Sequence, residues 1–311
     1  MTDLAKKEHK RWGKKFVDKR DWPKYNGQLV KRGEFFLDLD WVRDWDNELD
    51  RMNKNKIGRP FEFPDSLIRL QALWYNKNIP VRMIEGITKR LCDMAQIPRY
   101  NDHTTINRRI NRLDFHLDIP LEGAVALFSD GSGLQAIVGG EYLREKYGKK
   151  NRRWVQITIF GNPETKNIVH FEVSLIPKSE SETAKKQIEQ MIAKGIHISS
   201  FGGDGAFDDI ELWKLLELKK IRPVIKPDLN AREDSVSALR NKNVIERNEV
   251  GYQEWARRHM YGMRWPATEG IFSALKRIFG EQLRARSEVG LLQEASSKLW
   301  MYHTMKIYGE T

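Results

Sequence analysis

The sequence predicts an α/β protein in which a mixed sheet flanked by helices follows a smaller helical region. Two observations predict it. From about Leu121 the spacing of apolar residues changes from helical to alternating, and strand-like and helix-like segments then succeed one another through the rest of the chain. Before that point apolar residues recur at helical spacing between breaks that contain Pro and Gly.

The N-terminal segments divide at Gly58-Arg59-Pro60. Residues 1–57 begin with a basic arm, in which Lys6, Lys7, Lys10, Arg11, Lys14, Lys15, Lys19, Arg20, Lys24, Lys31 and Arg32 face only Asp3, Glu8, Asp18 and Asp21. Trp41, Trp45, Leu49 and Met52 then share one face of a short amphipathic helix. Residues 58–120 contain three helices: Leu67 to Tyr75 after Pro64-Asp65-Ser66, Arg82 to Met94 after Ile79-Pro80, and one opened by Thr104-Thr105. The last sets Ile106, Ile110 and Leu113 beside Arg108, Arg109 and Arg112. Three short helices ending this way resemble a helix-turn-helix DNA-binding region, whose final helix enters the major groove. A helical bundle with a solvated arginine face has the same pattern.

In residues 121–311, Val125-Ala126-Leu127-Phe128 runs into Asp130. Val155, Ile157 and Ile159 form a second alternating strand, and Val169, Phe171, Val173 and Leu175 a third, with a turn at Gly161-Asn162-Pro163. A helix carrying Ala184, Ile188, Met191 and Ile192 follows. Next come a strand from Ile198 to Phe201, a helix from Asp209 to about Leu218, a strand from Pro223 to Ile225 and a helix from Ala267 to Phe279. Strand, strand, strand, helix, strand, helix, strand, helix is the order that a ribonuclease H-like layered sheet requires.

Composition narrows the function. Lys and Arg number 54 against 43 Asp and Glu, a net charge of +11 that favours a polyanionic partner, nucleic acid first. The single cysteine, Cys92, excludes an internal disulfide and a cysteine-based metal cluster, and the seven histidines lack zinc spacing. No apolar run approaches membrane-spanning length, and no hydrophobic region follows the charged N-terminus, so the expectation is a cytoplasmic protein without membrane partners.

Phosphodiester chemistry near neutral pH is served by two hard cations about 3.5 to 4 Å apart, held by a few carboxylates on different elements. Three residues here have that character. Asp130 lies at the end of an apolar strand, followed by Gly131-Ser132-Gly133, where a charge needs compensation. Asp204 ends another strand between Gly203 and Gly205. Each could also cap the following turn. Glu269 opens a helix with Ser273, Lys276 and Arg277 on its own side and Ile271, Phe272, Leu275, Ile278 and Phe279 opposite. Asp208, Asp209 and Asp228 are rival acids, the first two better suited to capping the next helix.

Three groups of residues carry a resemblance: Phe128-Ser129-Asp130-Gly131-Ser132-Gly133-Leu134, Gly203-Asp204-Gly205-Ala206-Phe207-Asp208, and Tyr261, Arg264, Glu269 and Lys276. Together they resemble the DDE transposases of bacterial and archaeal insertion sequences, particularly the branch known as insertion sequence five. Tyr261 to Arg264 and Glu269 to Lys276 keep that family's spacing. Arg264 to Glu269 has four intervening residues where the family has three, with Trp265-Pro266 in the gap. Gly58-Arg59-Pro60, Pro64, Arg82, Glu85-Gly86 and Thr104-Thr105-Ile106-Asn107-Arg108-Arg109 extend the likeness upstream.

The resemblance implies a ribonuclease H-like catalytic domain that binds terminal inverted repeats and catalyses DNA strand cleavage and transfer. It implies Mg²⁺, with Mn²⁺ able to substitute, and assembly as a homodimer or higher oligomer on DNA ends and target. By this likeness Asp130 bridges two ions while Asp204 and Glu269 each help hold one; water attacks first and the freed 3′-hydroxyl then attacks target DNA. Tyr261, Arg264, Lys276 and Arg277 would lie against DNA near the cut, and Arg108, Arg109 and Arg112 would grip the repeats. A catalytically inactive DNA-binding descendant and a stand-alone metal nuclease share most of these features. Because Pro266 fixes its own backbone and disfavours helix at the residue before it, Arg264 and Trp265 are expected in the loop before the Glu269 helix. Trp265 would there either pack on the core or stack on an unpaired base.

Overall fold

The computed structural model describes residues 10–11, 14–15, 20–117, 123–137, 153–228 and 230–311. Residues 1–9, 12–13 and 16–19 of the expected basic arm and the boundary near Leu121 lie outside them. Within the arm, Lys10–Arg11 and Lys14–Lys15 pair as two short antiparallel strands.

The end of the arm is a helix, where the sequence predicts none. Helix α1, Trp22–Glu34, starts where Asp21 accepts the Lys24 N–H at 3.2 Å, with a proline in its first turn where no N–H is needed. It is followed by 3-10 turns at Phe35–Leu37 and Asp40–Asp44 and by α2, Trp45–Asn53. Helices α3, Asp65–Asn76, α4, Val81–Asp93, and α5, His103–Ile110, come next. Asp102 caps α5 by accepting from Thr104 N and Thr105 N at 2.8 and 3.0 Å. Glu85 of α4 accepts the His103 N–H at 3.0 Å and meets its ring Nδ1 at 2.8 Å, so the first turn of α5 is fixed to α4.

The sheet is built from β1, Ala124–Ala136, β2, Trp154–Gly161, β3, Ile168–Ser174, β4, His197–Gly203, and β5, Arg222–Ile225, in the spatial order β3-β2-β1-β4-β5. The pairs β1/β2 and β2/β3 are antiparallel, and β1/β4 and β4/β5 are parallel. This is the expected ribonuclease H-like arrangement. A two-residue strand, β6, Gln282–Leu283, pairs with the far end of β1. On that edge β1 therefore bonds to β4 through Ala124–Phe128 and to β6 through Gln135–Ala136, and among the described residues no strand pairs with the stretch between. The sheet opens there.

Strand alternation divides the core. Val125 and Leu127 of β1 face α6, Glu180–Ala193, and α7, Ile210–Leu218, and bury against Ala184, Ile188, Leu212 and Trp213. Leu134 and Ala136 face the other way, onto α11, Glu269–Phe279, α12, Glu288–Tyr308, and the N-terminal helices. Each fully buried Leu, Ile or Phe contributes about 1.5 to 3 kcal/mol. Because Ile68, Leu73, Ile84 and Ile106 share this second core with Val155 and Ile157, the N-terminal helices and the sheet support each other.

The remaining helices are α8, Ala238–Val250, α9, Tyr252–Arg258, and the single turn α10, Arg264–Ala267. Helix α12 buries a charged pair to hold β6. Lys298 Nζ donates to the Gln282 carbonyl at 2.6 Å, and Glu294 Oε2 accepts from Arg284 N and Ala285 N, both at 2.9 Å. No helix among the described residues is long and apolar enough to cross a membrane.

Candidate active site

Asp130 and Asp204 come together through register. Phe128 of β1 pairs with Gly202 of β4 in a parallel ladder, and each aspartate lies two residues further along its own chain. Both therefore emerge where the sheet opens, at the carboxyl end of the parallel pair, where α/β sheets place ligands. The sequence predicts Asp130 at the end of its strand. Instead β1 continues to Ala136, because Asp130 through Gln135 keep their antiparallel pairing with β2 on the other edge. Asp204 does end its strand, and its side chain accepts the Ala206 N–H at 2.9 Å.

Glu269 reaches the same place from α11, whose Ile271, Phe272, Leu275 and Phe279 are buried while Ser273 and Arg277 are exposed, as the wheel predicts. Arg264 links the two elements. Its Nη1 donates to Asp130 Oδ2 at 3.2 Å and its Nη2 to Glu269 Oε1 at 2.5 Å, so one guanidinium spans both carboxylates.

Arg264 and Trp265 are helical rather than in a loop. Pro266 lies within the first turn of α10, where the missing N–H costs nothing. The break falls at Thr268, whose φ of −132° and ψ of −75° separate α10 from α11. Across that break Arg264 still reaches Glu269, so both side chains lie on one side. The Ala267 carbonyl is packed so closely on Gly161 of β2 that a Cβ at 161 would overlap it, which seats the break against the sheet.

The electrostatics are those of crowded carboxylates. Burial pushes the Asp130 carboxyl above its usual value, opposed by Arg264 and reinforced by the charges of Asp204 and Glu269. A fourth acid, which sequence reasoning missed, belongs to this group. Glu180, at the start of α6, is pushed up to about 7 by burial and by the charges of Asp130 and Asp204. Its sequence signal is indirect: the residue after Asp130 is glycine, and a Cβ at Gly131 would overlap Glu180 Oε1.

Residues 122–303, more than half of the chain, match the family described as transposase DDE domain, and residues 30–139 match a second family of the same description. The chain belongs to the DDE transposase family. It is a DNA transposase, a polynucleotidyl transferase of the DDE class. No curated protein matches its sequence. A solved piggyBac transposase synaptic complex with hairpin DNA aligns over 91% of this chain and 75% of its own, at 9% identity and a TM-score of 0.37. The Mos1 mariner paired-end complex with Mn aligns over 92% and 96%, at 9% identity and a TM-score of 0.24. Both likenesses are weak, and the fold of this transposase is read from its own sheet order.

DDE transposases use divalent metal ions. The donor set here fits such an ion by chemistry, since Asp130, Asp204, Glu269 and Glu180 offer the hard oxygen ligands that Mg²⁺ and Mn²⁺ prefer. Among the described residues no three acidic, His or Cys side chains stand together as a ready ligand set. The Arg264 guanidinium occupies the space between Asp130 and Glu269 instead.

The other expected contacts of the transposase divide by exposure. Tyr261 is buried, with its ring 5.5 Å from that of Trp255 and 5.7 Å from the Arg264 guanidinium, so it supports Arg264 rather than facing DNA. Lys276 stands 3.6 Å from Glu281, and Arg277 donates to Ser273 Oγ at 3.3 Å. Arg108 and Arg112 are exposed along a groove that also includes Lys56 and Arg59, with Arg112 just beyond the end of α5. Arg109 corrects the expectation of three DNA-gripping arginines. It is buried, donates to Phe63 O at 3.1 Å and Asp65 Oδ1 at 2.6 Å, and lies over the Phe61 ring. Asp209 caps α7 as expected. Asp208 does not; it is buried against Arg240, whose Nε and Nη2 each donate to it at 2.8 Å.

Proposed function

We propose that this transposase cuts DNA at terminal inverted repeats and joins the freed ends to target DNA, using Asp130, Asp204 and Glu269 as its catalytic carboxylates. The observation that carries the reading is the register of β1 and β4 together with the single guanidinium that spans Asp130 and Glu269. These carboxylates would hold Mg²⁺, or Mn²⁺ in its place, and the bound ions would supply activation of the attacking oxygen and stabilisation of charge at phosphorus. The reaction runs in two displacements: water releases a 3′-hydroxyl, and that hydroxyl displaces the bridging oxygen of a target phosphodiester.

The protein's own groups position the DNA. Arg264, once released from the carboxylates, offers a planar fork to a phosphate, and Lys276 a point charge. Arg277 lies on the same outward side of α11. Residues 58–120 would bind repeat DNA through Arg108 and Arg112, residues 1–57 would add salt-sensitive contacts to the backbone, and residues 121–311 would carry the chemistry. The transposase would act in the cytoplasm, as a homodimer or higher oligomer that holds two DNA ends. The spacings Tyr261 to Arg264 and Glu269 to Lys276 support membership of the insertion sequence five branch.

The test is Asp204→Asn and Glu269→Gln. Each should abolish cleavage of a terminal-repeat duplex in Mg²⁺ and leave binding to that duplex nearly intact. Unchanged cutting by either variant rejects the assignment, and intact binding with no cutting in the wild type favours an inactive DNA-binding descendant.

A further inference from the structure

Strand alternation sends Asp130 and Gly131 to opposite faces of β1: Asp130 toward Arg264 and α11, Gly131 toward α6. On that second face the carboxylate of Glu180 lies over Gly131. A Cβ at 131 would overlap Glu180 Oε1 and stand 3.0 Å from its Cδ, so glycine is what admits this side chain to the opening in the sheet. Among the described residues no hydrogen bond or ion pair engages the Glu180 carboxylate. Gly131 directly follows Asp130, and Asp204 leaves the neighbouring strand β4 at the same opening.

An ionised carboxylate half-buried beside two others costs stability unless it takes a proton or a cation compensates it. The α6 N-terminus favours a first-turn carboxylate, but Glu182 in the same turn gains this too, so the helix does not require Glu180 to point at the aspartates. Arg264 compensates Asp130 and Glu269 from the other face and makes no contact with Glu180. What the described residues leave uncompensated is the side shared by Asp130, Asp204 and Glu180.

We propose that Glu180 is a fourth carboxylate of the divalent-metal site, reaching the ion held by Asp130 and Asp204 from the α6 face while Glu269 approaches from the α11 face. The inference rests on the assignment of Asp130 and Asp204 to metal. The glycine after Asp130 and the glutamate opening α6 then form one device.

The experiment is titration of the full-length transposase with Mn²⁺ alone, free ion being followed by electron paramagnetic resonance, with thermal unfolding measured on the same samples with and without Mn²⁺. Glu180→Gln should weaken Mn²⁺ binding on the order of tenfold or more while leaving the melting temperature without Mn²⁺ unlowered. Gly131→Ala should weaken it similarly by displacing the carboxylate, and Asp204→Asn is the reference for loss of a ligand. Wild-type Mn²⁺ affinity in Glu180→Gln together with weakened binding in Asp204→Asn overturns the role of Glu180 alone. Wild-type affinity in both variants overturns the metal assignment beneath it.

Discussion

Arg264 and Glu269 are joined at 2.5 Å across a helix break, and the same guanidinium holds Asp130 at 3.2 Å. The arginine thus neutralises two carboxylates that are proposed to bind cations. Arg264 and an ion would then compete for the same oxygens.

Arg264→Ala tests that competition. Its side chain and that of Asp130 are 18% and 15% exposed, whereas Glu269 is 43% exposed, so the loss falls mainly on the pairing with Asp130. The variant should lose about 1 to 3 kcal/mol of stability in a chelator, less than a fully buried pair would cost. Added Mn²⁺ should raise its melting temperature by more than it raises that of the wild type. An equal or smaller rise would show that arginine and metal do not share ligands.

The three arginines of the α5 region separate by burial. Arg109→Ala removes charge-assisted bonds to Asp65 and Phe63 and should cost about 1.5 to 3 kcal/mol in urea unfolding. Arg108→Ala and Arg112→Ala should change stability by less than about 0.5 kcal/mol. They should instead weaken repeat binding and lower the slope of log affinity against log salt by about 0.9 for each phosphate no longer neutralised. Normal stability with weakened DNA binding in Arg109→Ala would reject the division.

Much of this fold is legible in the sequence because burial imposes a period. The alternation in Val155, Ile157 and Ile159 and the helical spacing in α6 and α11 both mark faces that the core covers. The positions of Asp204 and Glu269 follow from a strand end and a helix start, whereas Asp130 lies within β1, which its pairing with β2 carries on to Ala136. What sequence reasoning misses depends on partners distant in the chain. Arg109 and Arg108 are adjacent and chemically alike, and only the placement of Asp65 and Phe61 makes one structural. Helix α1 is hidden by its charge, since it has no fully buried residue to set a period. Glu180 has no distinguishing neighbour in sequence; its significance comes from Gly131 on another element.

Asp208 supports the turn that carries Asp204. It receives two bonds from Arg240, one from Trp213 Nε1 at 2.8 Å and one from Asp228 N at 3.1 Å, and these hold its carboxyl below the usual value despite burial. A carboxyl depressed in the folded state contributes stability above its unfolded value, and that contribution disappears as pH falls through the folded value. Asp208→Asn should therefore be less stable than wild type by about 3 kcal/mol at pH 7, as expected for breaking a buried pair. The gap should narrow on acidification below the ordinary aspartate range. Urea unfolding at several pH values checks this, and a gap independent of pH would mean that the lost stability is packing rather than charge.

Trp265 occupies the helical turn between Arg264 and Pro266, and its side of the turn lies against Gly270 of α11, where an added Cβ would come within 3.5 Å of the indole. The residue is nevertheless 51% exposed, so part of a large apolar ring faces solvent within one residue of the arginine that spans two candidate catalytic carboxylates. An indole so placed can receive a base that leaves the duplex near the scissile phosphate, an interaction worth about 1 to 3 kcal/mol. Trp265→Ala should then slow cleavage of an intact duplex on the order of tenfold to a hundredfold, the rate equivalent of that stacking energy. Cleavage of a substrate already unpaired at the cut should slow much less, because the base no longer has to be drawn from its stack, and the melting temperature should change little. Equal slowing on both substrates with a lowered melting temperature would assign the indole to fastening α10 on α11 instead.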